Sequence, residues 1–195
     1  MDLGVELVTS RGASQVGLRE IARAAGVSHG APRRYFPTHH ALLSAIAHRG
    51  FADLRSRFAA ATREADSPRG QLHALARAYV RYAQECRGMF ELMFRHDLLD
   101  STGQAAGDAP RLRESTLPLF EHIVGLVGQV RAEDPAVTAA ALWANVHGIA
   151  QLWTWGSLPL ALTTAPPDDD DGRGGGRLDR LLSAALNAHL GPVPS

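Results

Sequence analysis

The 195-residue chain contains no lysine and only one cysteine, Cys86. A lone cysteine excludes an internal disulfide and cannot build a thiolate zinc centre. Cys86 therefore reads as a small packing residue and not as a nucleophile. Catalytic signatures are also missing. There is no Gly-x-Ser-x-Gly elbow, no His-Glu-x-x-His and no phosphate loop ending in Gly-Lys-Ser/Thr. The glycine run Gly172-Arg173-Gly174-Gly175-Gly176 lacks the preceding strand and the lysine that a phosphate site requires, so it reads as linker. No enzyme and no cofactor are expected. His39 and His40 are adjacent, and neighbours on a helix do not share a face, so no metal site is expected either. No charged leader with an apolar stretch and cleavage site opens the sequence, and a reducing cytoplasm is the expected setting.

Another absence is local. Residues 136–167 carry no Asp, Glu, Lys or Arg. A membrane span would need such a run, but Asn145, His147 and Gln151 interrupt it and no basic flank follows. A buried helix of a soluble body explains it better. Alternating strand patterns are absent too, while apolar residues recur with helical spacing throughout. The expected fold is all-α with about nine helices.

What the chain does have is arginine, placed unevenly. Positions 11, 19, 23, 33, 34, 49, 55 and 57 are arginine, opposed in that stretch only by Glu20 and Asp53. The formal net charge of the whole is +0, so one basic end sits on a non-basic body. That distribution fits a nucleic-acid-binding head.

The basic end also carries a helix-turn-helix pattern. A first helix around Val5, Leu7 and Val8 stops at Arg11-Gly12, glycine being suited to the left-handed stop residue. Leu18, Ile21, Ala22 and Ala25 form one buried stripe. Gly26 supplies the tight turn, Val27 plugs the angle and Ser28 caps the next helix. In this motif the second helix lies in the major groove and the first braces it. Ser28, His29, Gly30 and Ala31 open that recognition helix, where exposed N–H groups favour anions. Arg33 and Arg34 bring charge to phosphate or guanine.

Here the sequence resembles the TetR family of bacterial regulators. The likeness covers about residues 3–55 and rests on Arg11-Gly12, Ile21-Ala22, Ala25-Gly26-Val27-Ser28, Gly30, Phe36 and Leu42. It implies a three-helix DNA-binding head over 1–45 and a helix over 39–64 that links it to a ligand-binding and dimerisation domain over 46–195. It implies a homodimeric repressor released from double-stranded operator DNA by a small molecule. The DNA contacts it implies are Ser28, His29, Gly30, Ala31, Arg33, Arg34, Tyr35 and His39. Arg33 stands at the usual tyrosine position, with Tyr35 as the next donor. His39-His40 replaces the usual Lys-Glu, so His39 takes the phosphate-contact position. A second reading follows from these departures: a TetR-like ligand- or protein-binding module without specific DNA binding.

In the body, Ser67-Pro68 starts a helix with Leu72, Leu75, Ala76, Tyr79, Val80 and Ala83 on one side, which Arg87-Gly88 is expected to break. Met89 to Phe94 reads as a short apolar helix, residues 100–109 as a loop, and about Pro110 to Arg131 as a long helix. Asp134-Pro135 starts the next, to about Gly156. A linker over 163–176 precedes a last amphipathic helix with Leu178, Leu181, Leu182, Ala185 and Leu186. The helix after Asp134 is apolar around much of its circumference. It could bury one side in its own domain and the other, with the last helix, in a two-fold four-helix bundle. Trp143-Ala144-Asn145-Val146-His147-Gly148 resembles the Trp-His-Gly motif of one TetR C-terminal subclass. A pocket for a hydrophobic effector is expected from Tyr79, Phe90, Met93, Phe94, Phe120, Val124, Trp143 and His147.

Overall fold

A computed structural model describes residues 2–12, 17–24, 26, 36, 38–95, 98–99, 112–131, 133–163 and 175–192. The fold is all-α. Nine helices run through the described residues: α1 Asp2–Arg11, α2 Leu18–Ala24, α3 His39–Ala61, α4 Pro68–Glu85, α5 Arg87–Met93, α6 Leu112–Val130, α7 Pro135–Thr154, α8 Ser157–Thr163 and α9 Gly175–Leu190. The expected recognition helix, from Ser28 to Tyr35, and the loop over 100–109 lie outside the described residues.

Local chemistry sets most of the boundaries. Thr38 accepts the Ala41 N–H at 3.0 Å to cap α3, and Ser67 accepts the Gly70 N–H at 3.1 Å to cap α4. Asp134 caps α7 through the Val137 N–H, with Pro135 at the first helical position. Gly12 and Gly26 adopt φ +80° and +65°, the left-handed geometry expected at the ends of α1 and α2.

Two boundaries differ from expectation. The break after α4 falls at Cys86 (φ −122°, ψ 44°), while Gly88 lies buried within α5. After α7, Gly156 turns left-handed at φ +82° and the chain re-enters a helix, α8, that periodicity did not mark off. Pro159 sits within its first turn, where the missing N–H costs little.

The chain divides into two compact units. The first joins residues 1–56 to 85–119. Val8, Ala22, Leu43, Ile46, Leu54, Leu92 and Met93 form its buried centre. α1 packs on α5 and α2. Phe94 meets Phe51 of α3 edge-on at 5.9 Å between ring centroids and Phe90 at 5.2 Å. His48 Nδ1 and the Ser115 hydroxyl, 2.7 Å apart, tie α3 to the start of α6.

The second unit joins residues 57–84 to 120–195. Leu75, Val80 and Tyr82 of α4, Val127 of α6, Ala139 and Ala150 of α7, and Leu182 and Leu186 of α9 are buried in it. A polar seam fixes α9 antiparallel to α4. Arg69 pairs with Asn187, His73 with Ser183 at 3.3 Å, and Arg77 with Asp179 at 3.0 Å. Each step moves four residues forward on α4 and four back on α9, so one face of each helix supplies all three ties. Arg69 also donates to the Gly191 carbonyl at 2.8 Å and Arg131 to the His189 carbonyl at 3.3 Å. These two guanidiniums satisfy carbonyls at the end of α9, where the helix dipole favours cations.

Candidate functional site

Of the expected DNA contacts, Ser28, His29, Gly30, Ala31, Arg33, Arg34 and Tyr35 lie outside the described residues. His39 is described. It is exposed at the first residue of α3, directly after the Thr38 cap, and no acidic residue stands in that first turn. Arg19 and Arg23 are exposed on α2, Arg23 lying 3.8 Å from Glu20.

The second candidate site is a polar network inside the second unit. Tyr79 on α4 is 5% exposed. Its hydroxyl lies 2.7 Å from His147 Nδ1 and accepts the Trp143 Nε1–H at 3.3 Å. The indole can only donate, so the Tyr79 oxygen accepts from Trp143, and its bond with His147 runs in the direction that the imidazole tautomer sets. The Gln151 amide nitrogen lies 3.2 Å from His147 Nε2. Trp143, His147 and Gln151 come from successive turns of α7 and share one helix face, from which Trp143 and His147 reach Tyr79 and Gln151 reaches His147. The Trp143 and His147 rings are tilted, 6.0 Å apart, and Phe58 lies 6.4 Å from the Tyr79 ring.

Burial holds both titratable members neutral. It pushes the Tyr79 phenol well above its ordinary value, an effect the Trp143 N–H only partly opposes. Burial lowers the His147 imidazole below its ordinary value. The folded chain therefore binds a proton at His147 less readily than the unfolded chain does. Stability from this group is fully present above the unfolded value, about 6.5, and falls as pH drops below it toward the folded value. The wild-type chain is expected to lose more thermal stability between about pH 7.5 and pH 5 than His147→Gln. Parallel losses in the two proteins would show that His147 does not resist protonation.

The structure assigns the eight expected pocket residues to both units. Tyr79, Trp143 and His147 meet in the network just described, with Phe120 and Val124 half-buried on α6 of the same unit. Phe90, Met93 and Phe94 belong to the first unit, where Phe90 and Met93 are buried. Gln151 joins the network without having been anticipated. Its spacing of four from His147 was the available signal.

A third feature is the outer face of α7, α8 and α9. An open groove of about 490 Å³ runs there, lined by Ala144, Gly148, Leu152, Leu158, Ala184 and Ala188 among others. Large apolar side chains stand out beside it: Val137 is 63% exposed, Trp155 55% and Leu160 74%. Small residues in the groove allow close approach of another helix. No helix among the described residues is long and apolar enough to cross a membrane.

A basic helix-turn-helix segment followed by an all-α body defines the class of helical transcription regulators. Two family models match the chain: bacterial regulatory proteins of the tetR family over residues 1–46, and the tetracyclin repressor-like C-terminal domain over residues 72–171. The chain belongs to the TetR family of transcriptional regulators. Solved structures share the fold. A protein with unknown function from Rhodococcus sp. RHA1 is 29% identical, with 95% of this chain and 93% of that one covered and a TM-score of 0.67. A TetR-like transcriptional regulator from the same source is 19% identical, covering 98% and 93%, at a TM-score of 0.65. AibR, solved in complex with isovaleryl coenzyme A and operator DNA, is 15% identical, covering 98% and 97%, at a TM-score of 0.60. No curated protein matches the chain in sequence.

Proposed function

We propose that this chain is a homodimeric, effector-responsive transcriptional repressor of the cytoplasm. The observation that carries the reading is the pairing of a basic helix-turn-helix end with a body that gathers an uncharged polar network around the buried Tyr79. Arg33 and Arg34 of the recognition helix contact the operator, and Ser28, His29, Gly30, Ala31, Tyr35 and His39 set the helix against base edges and phosphates. In the body, Tyr79, Trp143 and His147 supply directional hydrogen bonds among apolar side chains, which suits a small, largely hydrophobic effector. Phe120 and Val124 supply apolar surface in the same unit. The α7–α9 face, with Ala144, Gly148, Ala184 and Ala188 at its centre, meets the same face of a second copy as a four-helix bundle. That AibR was solved with both a small acyl-coenzyme A and operator DNA supports the two-ligand logic.

Effector binding favours an arrangement in which the two recognition helices no longer match successive major grooves, about 34 Å apart. Helix α3 is the lever. Arg33→Ala and Arg34→Ala are each expected to weaken binding to the DNA immediately upstream of the gene by on the order of tenfold or more. The loss is read in a fluorescence-anisotropy titration. Unchanged affinity in both variants would remove these arginines from the interface.

A further inference from the structure

Gly88 is the point of closest approach between α1 and α5. A Cβ built there would overlap the carbonyl oxygen of Val8 and lie 3.3 Å from the Gly12 Cα. The obstructing atoms are backbone, so no side-chain rotation can make room. The Val8 carbonyl is already the acceptor for the Gly12 N–H at 2.9 Å, the bond that closes α1. Gly12 makes that turn at φ +80°. Two glycines, remote in sequence, thus meet at the last turn of α1: one makes the turn and the other permits the contact.

The rest of α1 is held by α3. A Cβ on Gly4 would lie 3.1 Å from Ile46 Cδ1, and Asp2 pairs with Arg49 at 3.0 Å. The salt bridge is exposed and contributes little. The glycine contact is different, because it fixes two backbones. The chain leaves α1 at Gly12 and enters α2 at Leu18, so the place where α1 ends sets where the helix-turn-helix begins.

We propose that the Gly12–Gly88 junction is a positioning site for DNA recognition: α5 holds α1, and through it the helix-turn-helix, in the orientation that two half-sites require. This rests on the operator-binding reading above. Gly88 touches no DNA. It acts by allowing α1 to lie where it does. Any side chain at 88 displaces α1 as a body, while leaving the head its own core and its arginines.

Gly50 supplies the matched control. It is also buried against α5, but the atoms nearest a Cβ there belong to side chains and not to backbone: Met93 Sδ at 2.7 Å, and Met89 Cγ and Sδ at 2.8 Å. Methionine can swing aside. The experiment compares wild type, Gly88→Ala and Gly50→Ala on the full upstream operator and on a single half-site from it. Helicity is followed by circular dichroism. The second unit is followed by tryptophan emission, since Trp143, Trp153 and Trp155 all belong to it.

Gly88→Ala is expected to lose on the order of tenfold or more on the full operator while keeping half-site affinity, helicity and tryptophan emission. Gly50→Ala should keep both affinities. Equal binding of wild type and Gly88→Ala to the full operator would overturn the proposal. So would loss of half-site binding together with helicity, because Gly88 would then be a folding residue and not a positioning one. A wild-type chain that binds neither DNA would overturn the operator reading itself, and the positioning role with it.

Discussion

Ile46→Ala is expected to lower the stability of the first unit by about 2–5 kcal/mol. Ile46 is fully buried in the middle of α3, with Leu42, Leu43 and Ala47 buried beside it. Its Cδ1 reaches the flank of α1 at Gly4, where a helix without a side chain lies against it. Truncation removes three carbons from a fully buried site, where α1 at Gly4 has no side chain to fill the space. The loss should therefore fall in the upper part of the range for such changes. For a chain of this size each kcal/mol shifts the midpoint by about 2–4 °C, so a drop of roughly 5–15 °C is expected in a circular-dichroism melt. A drop of less than about 2 °C would show that α1 does not depend on this contact.

Tyr79→Phe is the second large effect, expected to cost about 1–3 kcal/mol. The substitution keeps the ring, its packing and its contact with Phe58, so little of the loss comes from apolar burial. It takes away the acceptor of the Trp143 N–H and the hydrogen-bond partner of His147 Nδ1 in one step. A buried polar group deprived of its partner costs more than the bond contributed when made. Trp143 is 40% exposed and can recover part of its loss from water. His147 recovers less, so most of the cost is expected there. Equal stability at neutral pH would mean that the hydroxyl contributes nothing net.

Much of the architecture was legible from local chemistry. Ser67-Pro68 and Asp134-Pro135 announced helix starts, and Gly12 and Gly26 announced stops, because caps and left-handed turns depend on the residue at the position itself. The short helix α8 was not legible. It lies in the uncharged run 136–167, where no change of polarity marks a boundary and Gly156 and Pro159 are the punctuation nearest to it. Gly88 was read as a breaker for a related reason. Its use depends on α1, far away in sequence, and no local pattern distinguishes a glycine that ends a helix from one that lets a second helix approach.

The candidate site divides in the same way. Trp143 and His147 fall at i and i+4, so their shared face could be read directly from α7. That Tyr79 would join them depends on how α4 packs against α7, which periodicity does not specify. It marks only the buried side of each helix. The basic end was legible as charge and motif together, and that conjunction still carries the DNA reading.

The most direct test of the account is a titration of the purified chain against the DNA immediately upstream of its gene. It would be run at two salt concentrations with scrambled DNA as competitor. The account predicts tight binding that survives the competitor and weakens steeply with salt, because arginines on the head release counterions from the phosphates they neutralise. Binding no tighter than to scrambled DNA, or no binding at low salt, would contradict it.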